Sequence, residues 1–146
     1  MIGSTGRLGR GDRLHRPGDF GRVSREGRRV AEPAFVLLVA SSPRGHEASP
    51  QRLGITVSRK VGKAVLRNRV KRQVREWFRS ARRELRPGID LVVIGRSEAA
   101  HLASREARGI LCRLAHKAGA TKGRHPGSVS ASGVDSPSCW YVSISS

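Results

Sequence analysis

The segment Ser58-Arg59-Lys60-Val61-Gly62-Lys63-Ala64, with Arg67-Asn68-Arg69, Lys71 and Arg72 behind it, holds the residues best suited to chemistry in this chain. It sets a hydroxyl, backbone amides and several cations at the start of a helical pattern. A helix start carries the positive end of the dipole and unsatisfied N–H groups, which together favour a phosphate. Arginine's planar fork grips two phosphate oxygens at once, which lysine does not reproduce. Asn68 is neutral amid cations, so it points to a specific hydrogen bond rather than bulk attraction. The blander reading is a solvated basic helix face. Against it, residues 51–87 carry thirteen Lys/Arg and only Glu76 and Glu84, in a chain of net charge +18. Like charge at that density repels itself unless a polyanion is the neighbour.

Hydrolysis by the protein itself is not supported. Two-metal or acid/base phosphodiester cleavage needs carboxylates gathered around a metal ion. The eleven acids are scattered, with no DxD, ExK or HExxH grouping, and Asp12, Asp19, Glu26, Asp90 and Glu98 meet by no sequence pattern. His15, His46, His101, His116 and His125 lack metal-ligand spacing. Ser58 beside Lys60 resembles a Ser-Lys dyad only superficially; a cap or a phosphate contact suits it better. Gly62-Lys63 lacks the upstream glycine and following Ser/Thr of a P-loop. The expectation is no catalytic residue and no metal site in the protein.

The elements that must position these residues follow from periodicity. Arg13-Leu-His-Arg-Pro-Gly-Asp-Phe reads into a short helix, with Pro17 in its first turn, Asp19 at its positive end and Gly27 as its stop. Arg29–Ser41 reads as one strand around the apolar run 35–39, with Pro33 confining its beginning to an edge or bulge. Residues 42–50 form a turn-rich loop. Arg52–Ser58 alternates Leu53, Ile55, Val57 against Arg52, Gly54, Thr56, as a half-buried strand does. The basic helix opens around Val61–Lys63 and carries Val70, Val74, Trp77, Phe78, Ala81 and Leu85 as an apolar stripe, ending at Pro87-Gly88. Trp77 and Phe78 belong to that stripe and are read as core. Asp90–Gly95 is a further strand, and Glu98–Ala118 a helical pattern with a break near His101–Ser104.

These elements predict an α+β sandwich, a small sheet with covering helices, over residues 13–118. Residues 1–12 and 119–146 are Gly/Arg-rich and Ser/Gly-rich respectively, and are expected to be disordered tails. The final CWYVSISS is unexpectedly apolar for a tail. No run of 18 apolar residues exists and the first residues are no secretory signal, so no membrane span or export is expected. Cys112 and Cys139 lack metal or redox spacing, and Cys112 sits on an apolar pattern, in keeping with a reduced cytoplasmic protein.

The long, strand-flanked basic helix favours a folded RNA over DNA, whose readers present a short recognition helix after a turn. Phe20 and a sheet face bearing Phe35 suggest a place for an unpaired strand, although core packing suits Phe35 equally well. Composition alone leaves a ribosome-associated or structural RNA-binding protein without a processing role as an open alternative. A self-sufficient protein nuclease is disfavoured by the scattered acids.

The run RLGITVSRKVGKAVLRNRVKRQVREWFR resembles the signature of the bacterial ribonuclease P protein component, whose hallmark RNR stands here as Arg67-Asn68-Arg69. RLHRPGDFGRVSREG, AFVLLV and DLVVIGR are similar to that family's first helix, first strand and later strand. The resemblance covers residues 13–117. It implies a left-handed crossover between the strands flanking the RNR helix. It also implies a protein subunit that partners a large catalytic RNA, one protein per RNA, in removing the 5′ leader from precursor tRNA. Hydrolysis would belong to the RNA, with Mg²⁺ held mainly by the RNA and substrate. Arg59, Lys60, Lys63, Arg67, Asn68, Arg69, Lys71 and Arg72 match positions that face the catalytic RNA. Phe20, Phe35, Arg13, Thr56 and Ser58 match a cleft for the leader. Ser24 and Leu38 depart from the family, which often has aromatic residues there, so less stacking is expected.

Overall fold

The computed structural model describes residues 8–43 and 51–122. Helix α1 (Pro17–Glu26) starts on a proline, whose missing N–H costs nothing at that position. It ends at Gly27, whose N–H donates to Val23 O at 2.8 Å. Strands β1 (Arg28–Ala31) and β2 (Phe35–Ser41) form a hairpin, then come β3 (Arg52–Val57), α2 (Ala64–Ala81), β4 (Ile89–Gly95) and α3 (Ser104–Lys117). The sheet runs β1-β2-β4-β3, with β3 and β4 parallel and the other pairs antiparallel. The α+β sheet with covering helices is as expected, and so is the break before α3, where a 3₁₀ turn spans Ser97–His101.

Three boundaries differ from the expectation. Arg29–Ser41 is not one strand, because Pro33 sits in the turn and Glu32 N donates to Phe35 O at 2.8 Å, folding the chain back. α2 starts later, after a 3₁₀ turn at Arg59–Val61 and Gly62 at φ 140°, a conformation L side chains rarely adopt. A Cβ there would also lie 2.7 Å from Leu66 Cδ1. α2 stops at Ala81, where Gln51 Nε2 donates to the carbonyls of Arg82 (3.2 Å) and Leu85 (2.9 Å) and so satisfies the frayed end.

The folded body is also longer than residues 13–118. Leu8 is buried, and Asp12 pairs with Arg82 at 2.7 Å. At the other end Ala120 and Thr121 are buried, with Arg86 N donating to Ala120 O and Lys122 N to Glu84 O. The remaining tail residues, including CWYVSISS, lie outside the described residues, as does the loop 44–50.

Strand alternation sorts the core onto two faces. Leu37, Val39, Leu91 and Val93 point to α2 and α3, joining Val70, Val74, Trp77, Phe78, Leu111 and Leu114 in one cluster. Leu38, Ala40 and Val92 point the other way, under Leu14, Phe20 and Val23. α2 therefore rests its apolar stripe on the sheet and turns its cations outward, while α1 covers part of the opposite face.

Candidate nucleic-acid interface

The start of α2 presents its cations without internal neutralisation. Arg59, Lys60, Lys63, Asn68 and Arg72 are exposed, and Arg67 and Lys71 are half-buried. None of these cations pairs with a carboxylate among the described residues. Ser58 Oγ accepts from Lys60 N at 3.1 Å, fixing the turn that carries Arg59 and Lys60. Arg67 Nε is buried and has no hydrogen-bond partner. Arg69 is different: its guanidinium donates to the carbonyls of Ala100 and Leu102, both at 3.0 Å. Gln73 Nε2 also reaches Leu102 O at 3.2 Å. Arg69 thus ties α2 to the turn before α3 through one bond from each terminal nitrogen.

One flank of α2 looks onto the β3 edge. There Lys71 and Arg75 line a pocket of about 180 Å³ with Arg13, His15, Phe20 and Gly54. The N-terminal segment closes the edge: Arg13 bridges Leu53 in parallel, and Leu14 N donates to Leu53 O at 3.0 Å. Burial, then repulsion from Arg13 and Arg72, lowers the pKa of Arg75 from the usual arginine value. Cations crowded without carboxylates have the electrostatic character of an anion site.

Beside α1 the sheet offers a strip formed by one cross-strand row, Thr56–Ile94–Val36–Ala31, read from the registers of adjacent strands. At about 4.8 Å between strands, the row is roughly 14 Å long. Phe20 stands at its β3 end, over the next row, where a Cβ on Gly54 would lie 2.7 Å from the ring. Thr56 is exposed on the floor, and Ser58 follows the strand as the cap of the 3₁₀ turn. Arg96, in extended backbone with its N–H donating to Ala34 O at 2.9 Å, continues the alternation of β4 onto this face and is exposed. Sequence reasoning missed it, although an arginine two residues past an inward-facing strand position was a usable signal. Ser24 is exposed and Leu38 is buried, so Phe20 is the one aromatic on this face among the described residues.

Phe35 does not belong to this cleft. It is 0% exposed and lies in the cluster under α2 and α3. The reason is parity: Phe35 is in phase with Leu37 and Val39, so it shares their face and not that of Phe20.

α1 is held over the sheet by charge as well as by apolar contact. Asp90, wholly buried on β4, accepts from Arg52 Nε at 2.9 Å and from Arg52 NH2 at 2.8 Å, and also accepts from Arg22 of α1. Arg22 NH1 donates to Ser41 O at 2.8 Å, and Arg52 reaches Asp19 of α1 at 3.7 Å. The pKa of Arg52 is raised, first by its hydrogen bond to Asp90. Read from the sequence, Asp90 was only one of the scattered acids; an acid opening an apolar strand was the sign of a buried partner.

Among the described residues no three His, Cys, Asp or Glu side chains gather as a metal site, and no helix is long and apolar enough to cross a membrane. The family model described as Ribonuclease P matches residues 8–119. The ribonuclease P protein component of Geobacillus thermodenitrificans is 37% identical over 112 residues, which span 77% of this chain and 90% of that protein. The solved RNase P protein of Staphylococcus aureus superposes with a TM-score of 0.64 at 32% identity, covering 70% of this chain and 91% of that one. The RNase P protein of Thermotoga maritima gives a TM-score of 0.62 at 35% identity, covering 70% and 93%.

Proposed function

This chain belongs to the ribonuclease P protein family and is a protein subunit of that endoribonuclease, and on that premise we propose a division of labour between its two faces. The α2 side holds the partner RNA: Arg59, Lys60, Lys63, Arg67, Asn68, Lys71 and Arg72 meet its phosphates. The α1 side holds the 5′ leader of precursor tRNA, with a base on Phe20 and the strand running over Thr56 and Ser58 between Arg13 and Arg96. Arg69 contributes by keeping α2 seated. Phe35 supports the floor from the other side.

The observation that carries this reading is continuity of charge. Lys71 and Arg75 on α2, Arg13 on the N-terminal segment and Phe20 on α1 line one pocket, so the cationic helix and the strip beside α1 meet at the β3 edge. A strand can leave the RNA surface and enter the cleft without crossing an acidic region.

Among the described residues no three His, Cys, Asp or Glu side chains gather to hold Mg²⁺. Asp12, Glu32 and Asp90 are already held by arginines, so Mg²⁺ is assigned to the RNA and the substrate. The protein's share is to neutralise phosphates, which lowers the amount of metal the assembly needs. One protein per RNA in the cytoplasm completes the proposal.

The test is cleavage of precursor tRNA by protein alone, by the cognate RNA alone and by both at low Mg²⁺. Cleavage is expected only with RNA present, with a clear gain from the protein at low Mg²⁺. Cleavage by protein alone, or no gain, overturns it.

A further inference from the structure

The strip beside α1 has two ends, and Phe20 stands at the one on β3. At the other, β1 forms the outer edge of the sheet and carries Arg28 and Arg29, both exposed. The register Arg29↔Leu38, with Leu38 beneath α1, places Arg29 on the α1 face, two residues from Ala31 at the end of the row. Arg25, on the last turn of α1, is also exposed. Its guanidinium folds back along the helix, since a Cβ on Gly21 would lie 3.3 Å from Arg25 NH1. Neither the Arg25 nor the Arg29 side chain has an ion pair or hydrogen bond among the described residues, although Arg22, on the same helix, is held by Asp90 and Ser41 O.

We propose that Arg25 and Arg29 form a second, distal site for the phosphodiester backbone of single-stranded RNA, taking leader nucleotides beyond the one that meets Phe20. The proposal rests on the leader reading and extends it across the sheet. Only one aromatic faces the strip, so base stacking grips a strand at one point. A strand laid over a row of about 14 Å reaches β1 with its backbone still ionised, where Arg29 stands unpaired on the edge strand and Arg25 on the adjoining last turn of α1. An arginine on an edge strand also deters unwanted strand pairing, a role indifferent to RNA length. Leader length therefore separates the two roles.

The experiment uses the assembled ribonucleoprotein and precursor tRNAs with a very short leader or a long one. The Arg25→Ser/Arg29→Ser variant changes only exposed side chains. It is expected to bind the short-leader precursor like the parent and to lose several-fold in affinity for the long-leader one. With two phosphate contacts gone, the slope of log affinity against log salt should fall by about 1.4 for the long leader only. A parent that gains affinity with leader length, beside a variant that gains just as much with the same slope, overturns the distal site while leaving the cleft intact. A parent indifferent to leader length overturns both.

Discussion

Among the described residues, twenty-five buried ones form one cluster on the face that carries α2 and α3, and five lie under α1, helped by Phe20, Ile94 and the Asp90 ion pairs. Apolar packing is non-directional and tolerates small shifts, so the first face is a stable platform on which charges can be displayed. Ion pairs in a half-closed site depend on geometry, and losing one partner strands the other. The second face is therefore the more easily altered of the two, and it is the one assigned to the substrate. The cationic helix is kept rigid, while the cleft is held by a few named bonds.

The largest effect should come from the platform. Phe78→Ala removes a fully buried ring and should cost about 3–5 kcal/mol in urea unfolding, weakening RNA assembly and leader recognition together. Leader recognition that survives intact beside a lost assembly would show that the faces do not share this core.

Next comes the charged pivot. Asp90→Ala leaves Arg22 and Arg52 facing each other and should cost on the order of 3 kcal/mol. Its mark on function should be selective: discrimination between precursor and mature tRNA falls more than affinity for the catalytic RNA. Equal losses in paired titrations would erase the distinction between the faces. Arg22→Met is milder, because Asp90 keeps both bonds from Arg52.

Smaller still is the contrast between two arginines of one motif. Arg69→Ala loses two bonds to backbone carbonyls and should destabilise by about 1–2 kcal/mol. Arg67→Ala should leave stability within about 0.5 kcal/mol but reduce the salt slope of RNA binding by nearly one. Identical behaviour of the two variants would show that the carbonyl bonds of Arg69 do not persist.

The smallest is a pH effect on the platform's rim. Arg113, by its hydrogen bond, and then Lys117 hold the Glu32 carboxyl below its usual value of 4.5, and the burial of Glu32 opposes them only in part. A depressed folded pKa means the stabilisation is fully present above about pH 4.5 and fades as pH falls through the lower folded value. Because Arg113 is partly exposed, the contribution should be under about 1 kcal/mol. The gap in stability between the parent and Glu32→Gln should hold steady above about pH 4.5 and shrink as the pH falls below it; a gap that ignores pH removes the ion pair from the account.

Periodicity made most of the fold legible. The 3.6-residue stripe from Val70 to Ala81 and the alternation of Leu53, Ile55 and Val57 reflect burial, and burial is what hydropathy records. β1 was not separable, because its four residues are mostly exposed and leave no apolar rhythm, so Pro33 was the one local sign of a turn. The cationic surface was legible as charge. Its internal partition was not: residue type does not say whether Arg69 meets a phosphate or a carbonyl. Nor does a continuous apolar run say which face Phe35 takes, since that parity is fixed by neighbouring strands far away in sequence.

Gly54 beneath the Phe20 ring has a consequence for how such chains diverge. A single methyl group at 54 would press on the outer ring atoms at 2.7 and 2.8 Å and on Leu14 Cδ1 at 3.2 Å. The ring would then have to move off Gly54, altering the surface a nucleobase meets without any change to the aromatic itself. Positions 20 and 54 should therefore drift in concert among descendants of this sequence, the smaller governing the attitude of the larger.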